Sequence, residues 1–314
     1  MSARDKYISV FGKIETLEAP VTWTTGISNM LEWLLWETSH VLGISKTKYR
    51  NLIAEKAYQA ATEGKSLEET KKEIASAITG EMNSNEHHGR FDKYKTSIAS
   101  PREALRRSKF FSEDYLNKEF DIFWALASDT YLDEFYGRLT SIQGGGEWFS
   151  HGNSGLFAYS VQIDEMQMDN VSYNPGEKLL VANELKLGGQ KNKDQMLKYA
   201  YMFNQLREKR FIAPDTRFVV LFIGDKREPI SPERSISAEI DHCGRSLKST
   251  HAKIVEQSCI DVALATEYYS LSWSDLISFN NFYKTSLELP TQQVEHKLIT
   301  GFNETLHSKA FLNR

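Results

Sequence analysis

Hydrophobic positions recur with a helical period over the first part of the chain and with a strand period later. From Ile27 to Gly43 the apolar residues Met30, Leu31, Leu34, Leu35 and Val41 share one helical face, and Ser45 is placed to cap a following helix through Tyr58. Ser66 with Glu69 forms a capping-box signature ahead of another helix ending near Gly80. A polar interval, Glu81 to Arg90, closes this region, and further helix is expected between Ser112 and Thr140, including Tyr131 to Leu139.

The period changes after Gly144-Gly145-Gly146. Three runs of strand character follow, Leu156–Ile163, Met168–Tyr173 and Lys178–Leu187, and the turn signal Asn174-Pro175-Gly176 predicts that the second and third form an antiparallel hairpin. A helix is expected from Lys193 to near Lys209, burying Met196, Leu197, Ala200, Phe203 and Leu206. Arg217–Gly224 reads as a strand that ends in a polar loop with Pro229 and Pro232. Leu247–Ser258 reads as helix, Leu264–Leu271 as a last strand, and Leu276–Tyr283 as a helix entered through Trp273 and Ser274. This order predicts an α/β fold, a mixed sheet flanked by helices, with residues 1–110 as a helical N-terminal region and 111–314 as the sheet domain.

Composition changes this picture little. The 314 residues suffice for one large domain or two modest ones, and 40% hydrophobic content with only seven prolines implies order almost throughout. No run approaches the length of a membrane span, and Met1 to Gly12 lacks the character of a secretory signal, so no membrane association and a cytoplasmic location are expected. Cys243 and Cys259 lack metal or redox spacing and read as reduced structural residues. The net charge of −4 weighs against a nonspecific nucleic-acid coat protein. Local positive charge nevertheless follows the hairpin in Lys191, Lys193, Lys198, Arg207, Lys209 and Arg210.

The candidate chemistry lies on the hairpin. Hydrolysis of a phosphodiester needs an activated water and a counter to the charge building on phosphate; carboxylates holding a divalent ion supply both, and a nearby lysine assists. Glu184 and Lys186, two apart on an apolar strand, project from one face. Glu63/Lys65, Glu69/Lys71 and Glu295/Lys297 have the same spacing, but they lie in or beside helices, where such residues diverge. Asp169 lies across the hairpin from Glu184, and Asp164, ending the preceding apolar run, is its rival as the second metal ligand. Hard oxygen donors of this kind suit Mg2+ or Mn2+.

Aspartate, hairpin, E-x-K and then a helix carrying Gln195-Met196-Leu197-Lys198-Tyr199 resemble the PD-(D/E)XK nuclease superfamily, particularly its RecB-like members with a Q-x3-Y motif. The resemblance spans about Glu134 to Tyr283 and implies a restriction-endonuclease-like fold. It implies metal binding by Asp169 and Glu184, assistance by Lys186, and a site lined by Gln195 and Tyr199. Glu134 stands for the glutamate that the family carries on the helix before the sheet, and Met168 stands where the family often has proline. The implied activity is metal-dependent cleavage of nucleic acid, DNA ahead of RNA, in restriction-type or anti-phage defence or in repair. The helical N-terminal region is left to DNA contact, a partner subunit or a homodimer. A competing reading is a non-cleaving subunit that keeps a nuclease-like fold to bind nucleic acid or protein. His87-His88 and His242-Cys243 read as polar surface, and the triple glycine as a hinge or access loop, because it lacks the lysine and hydroxyl of a phosphate loop.

Overall fold

The structure, a computed structural model, describes residues 16–21, 23–28, 30–31, 44, 46–83, 113–140, 145–152, 166–187, 192–246 and 248–308. The expected strand Leu156–Ile163, Asp164, Lys191 and His87-His88 lie outside these residues, as does most of the helix expected over Ile27–Gly43. Two compact units are present, one within Leu31–Tyr115 and the other combining Met1–Met30 with Leu116–Arg314. The described residues before Met30 therefore group with the later part of the chain, whereas the sequence pattern joined them to the helical region. No described helix is long and apolar enough to cross a membrane.

Among the described residues the smaller unit holds two helices, α1 (Lys46–Thr62) and α2 (Leu67–Asn83). Gly64, at φ +67°, ends α1 in a left-handed turn that Lys65 closes by donating its backbone N–H to the Ala60 carbonyl at 2.9 Å. The capping box then starts α2. Glu69 N–H donates to Ser66 Oγ at 3.3 Å, while Ser66 N–H donates back to the Glu69 carboxylate at 2.8 Å.

In the larger unit, α3 (Glu113–Leu126) and α4 (Asp129–Thr140) precede strands β1 (Phe149–Gly152), β2 (Asn170–Asn174) and β3 (Leu179–Leu185). The chain continues through α5 (Gln195–Glu208), β4 (Arg217–Gly224), α6 (Pro232–Gly244), α7 (Ser249–Ile254) and α8 (Gln257–Ala265). It closes with β5 (Glu267–Ser272), α9 (Trp273–Ser286) and α10 (Gln293–Ser308). The five strands lie in sequence order, antiparallel from β1 to β3 and parallel from β3 to β5, so the sheet is mixed. At the hairpin turn the Asn174 side chain accepts the Glu177 N–H three residues on at 3.0 Å, which holds the turn from its first residue.

Every residue of β3 is buried, because the sheet is covered on both faces. One face packs Val171, Tyr173, Leu180, Ala182 and Val220 against α5, α6 and α8. The other packs Leu179, Val181, Leu185 and Leu221 against an aromatic layer from α3, α4, α9 and α10, where Phe120 stacks on Trp124 at 3.9 Å and Phe123 on Phe302 at 4.3 Å. Leu17 is buried with the first face, and its carbonyl accepts the Nε2–H of His151 on β1 at 2.9 Å.

Two expectations from periodicity change. The segment holding Pro232 is helix, not loop: proline occupies the first turn, where its missing N–H costs nothing, and only Ile236, Ile240 and Cys243 supply an apolar side. Leu264 and Ala265 end α8, and the last strand begins at Glu267. β1 was not expected; its four buried residues are too few to show an alternating pattern.

Candidate active site

Strand register creates the site. Asn170 opposes Asn183 in the last ladder pair at one end of the hairpin; Asp169 lies one residue before Asn170 and Glu184 one residue after Asn183, so the two carboxylates come from the same end. Alternation along β3 puts Glu184 on the side of Ala182, the face covered by α5, and Asp169 comes to the same side, where its charge and its backbone N–H act on Tyr199. Asp169 lies just before β2, and its Oδ2 accepts the backbone N–H of Leu185 at 3.0 Å, tying the aspartate to the strand that carries Glu184. Asp164 lies outside the described residues, so the comparison between the two aspartates rests on Asp169's placement alone.

Glu184 is 2% exposed. Its Oε1 is 2.7 Å from the Lys186 Nζ, and its Oε2 accepts the Tyr199 hydroxyl in a short hydrogen bond. Lys186 follows β3 directly. Its N–H donates to the Ile223 carbonyl at 2.8 Å and its own carbonyl accepts the Trp273 indole N–H at 3.0 Å, so β4 and α9 hold its backbone from two sides. The other E-x-K triplets lie between α1 and α2, within α2 and within α10; Glu184 alone among these glutamates is on a strand.

From α5, Gln195 and Tyr199 are a helical turn apart and both are buried. Burial, then the negative charges of Glu184 and Asp169, hold the Tyr199 phenol well above its ordinary value, so it keeps its proton and donates. The Gln195 Oε1 is buried without a hydrogen-bond partner among the described residues. Glu239 on α6, a residue the sequence pattern did not single out, accepts the Leu197 N–H at 3.0 Å and so caps the first turn of α5. Asp194, which precedes that helix, makes no side-chain cap and instead lies 3.3 Å from His251 Nε2. A glutamate within an unrecognised helix left no sequence signal for this role.

Glu134 is not brought to this cluster. It lies on α4, whose aromatic side packs into the layer on the opposite sheet face, and its charge acts on Tyr283 there. Lys193 is exposed and Lys198 half-buried at the start of α5.

The donor set fits a hard divalent ion. Asp169 and Glu184 offer carboxylate oxygens from one end of the hairpin, and Gln195 adds an amide oxygen that has no hydrogen-bond partner among the described residues. Among the described residues no group of three or more His, Cys, Asp or Glu is arranged to hold a metal. Two carboxylates are nevertheless the usual share of a magnesium ion, which retains several waters. Set beside protein-family models, curated proteins and solved structures, the chain matches none of them.

Proposed function

We propose that this chain is a divalent-metal-dependent nuclease with a restriction-endonuclease-like fold, hydrolysing phosphodiester bonds in DNA ahead of RNA. The observation that carries the reading is that Asp169 accepts a backbone N–H from β3 beside Glu184 and both carboxylates act on Tyr199, with Lys186 and Tyr199 on the two oxygens of Glu184. Asp169 and Glu184 would hold Mg2+ or Mn2+, which when bound supplies an acidified water and a counter-charge for the phosphate. Lys186 contributes an ammonium at the same point, suited to orienting water and to meeting the charge that grows on the phosphate oxygens. Tyr199 fixes the glutamate through its hydroxyl, and Gln195 has an oxygen free to orient a water or an ion. Restriction-type defence or repair is the setting that goes with such an enzyme.

The test is cleavage by the purified chain of linear, circular and single-stranded DNA and of RNA, with Mg2+ or Mn2+ and with excess chelator. Metal-dependent loss of a DNA substrate is the expected result. Binding without cleavage under every condition would favour the non-cleaving alternative. Replacing Lys193 and Lys198 with alanine should weaken DNA binding and make its log–log dependence on salt shallower, by about 0.9 for each phosphate no longer neutralised. An unchanged salt slope would remove the start of α5 from the binding surface.

A further inference from the structure

On the far side of the hairpin, directly behind the carboxylates, runs a chain of buried polar groups. The row Gly152, Asn170 and Asn183 crosses β1, β2 and β3 next to Asp169 and Glu184. Asn183 Nδ2 donates to Asn170 Oδ1 at 3.0 Å, and Asn170 Nδ2 donates to Asp121 Oδ1 of α3 at 3.0 Å. The other Asp121 oxygen accepts from the Lys118 ammonium at 3.0 Å, in an ion pair whose side chains are 1% and 0% exposed. Asp121 reaches Asn170 only because the strand presents glycine beneath it: a Cβ at Gly152 would lie 2.2 Å from the Asp121 carboxyl carbon. On β3, Asn183 Nδ2 is also 2.9 Å from the Tyr136 hydroxyl, which accepts the Trp124 indole N–H at 2.8 Å.

The polarity of this chain is set from its charged end. A carboxylate facing an ammonium can only accept, so Asn170 must present its amide N–H groups to Asp121 and its oxygen to Asn183, and the Tyr136 hydroxyl, which accepts from Trp124, can accept from the Asn183 amide as well. A one-residue slip of β2 in one direction would bring Val171 opposite Gly152 and leave Asp121 facing an apolar side chain, and a one-residue slip of β3 in one direction would set Ala182 where Asn183 meets Asn170. An apolar row would tolerate such slips more readily. Replacing a buried ion pair by apolar groups often costs nothing or even stabilises, so stability alone is a poor account of its presence.

We propose that Asp121, Asn170 and Asn183 are positioning residues that hold Asp169 and Glu184 together at one end of the hairpin for metal binding. This rests on the reading of that pair as the metal-holding carboxylates. Asp169 precedes the ladder, so its place depends on where Asn170 is held. The relay acts from the buried face and touches neither metal nor substrate.

Two double variants of the full chain separate positioning from bulk stability. K118M/D121N removes both charges but keeps an oxygen to accept from Asn170; K118M/D121L removes the acceptor as well. With Mn2+ alone as probe, followed by calorimetry and by its paramagnetic resonance spectrum, K118M/D121N should stay within about twofold of the wild type, whereas K118M/D121L should bind about tenfold or more weakly. A third variant, N183V, leaves the ion pair intact and should weaken Mn2+ binding in the same direction, which supplies a readout if K118M/D121L does not fold. Wild-type Mn2+ affinity in folded K118M/D121L or in folded N183V would overturn the relay and leave the metal reading standing. Equal losses in both double variants, tracking their melting temperatures, would likewise overturn it. No Mn2+ binding by the wild-type chain, or binding unchanged in D169N and E184Q, would overturn the metal reading and the relay with it.

Discussion

Glu184→Gln is expected to abolish Mg2+-dependent cleavage while leaving the chain folded. The glutamate is buried, and its two oxygens meet the Lys186 ammonium and the Tyr199 hydroxyl, so the substitution must preserve shape and an acceptor if it is to report on chemistry. Glutamine does both. It keeps an oxygen for the Tyr199 proton and removes the negative charge that a divalent ion requires. Alanine would vacate the space as well and leave the Tyr199 hydroxyl without its partner, at a cost of about 1–3 kcal/mol for a buried group so stranded. The amide variant is therefore the sharper probe. Cleavage and Mn2+ binding should both disappear, with the circular dichroism spectrum retained. A folded E184Q chain that cleaves at the wild-type rate would sink the site, and cleavage that survives excess chelator would remove the metal from the reaction.

Lys186→Ala should fail differently: it is expected to bind Mn2+ at least as tightly as the wild type and yet to cleave about 10²–10³-fold more slowly, the usual loss when one donor to developing charge is removed. Its ammonium is 2.7 Å from a Glu184 oxygen and therefore competes with a cation for that oxygen. Removing it frees the oxygen and leaves the carboxylate charge uncompensated, which favours the metal. Cleavage has no such compensation, because the positive charge beside the phosphate is gone. Calorimetry with Mn2+ beside a single-turnover cleavage assay would show the split. Loss of metal binding in K186A would mean that the lysine supports the carboxylate more than it competes with the ion.

Much of the site was legible in the chain because its signals are local. An Asn-Pro-Gly turn between two apolar runs is enough for a hairpin, and the structure has β2 and β3 antiparallel about it. The apolar run Leu179–Leu185 places Glu184 on a strand, and the helical spacing of Gln195 and Tyr199 places them on one side of α5. Ser66 and Glu69 form the capping box their spacing implied. Elsewhere the local signal was weak or ambiguous. With few apolar residues and an early proline, α6 resembled a loop, and its Glu239 could not be connected to α5 from forty-two residues away.

What periodicity could not supply is which side chains meet across the sheet. Alternation says that Glu184 and Lys186 share a face; the tertiary structure decides that Asp169 is tied to the strand beside Glu184, and packing decides that α5 delivers the Tyr199 hydroxyl to the glutamate. The same packing sends α4 to the other face, so Glu134 acts on Tyr283 and not on the carboxylates. Asn170 and Asn183 looked like minor polar interruptions in their strands. Only with α3 laid over Gly152 do they become links to a buried Asp121 and Lys118. Local patterns come from backbone geometry and the partition of side chains between water and core, which a few neighbouring residues express. Partners dozens of residues apart are chosen by fit among whole elements, which becomes defined only when the sheet and both helical layers are assembled.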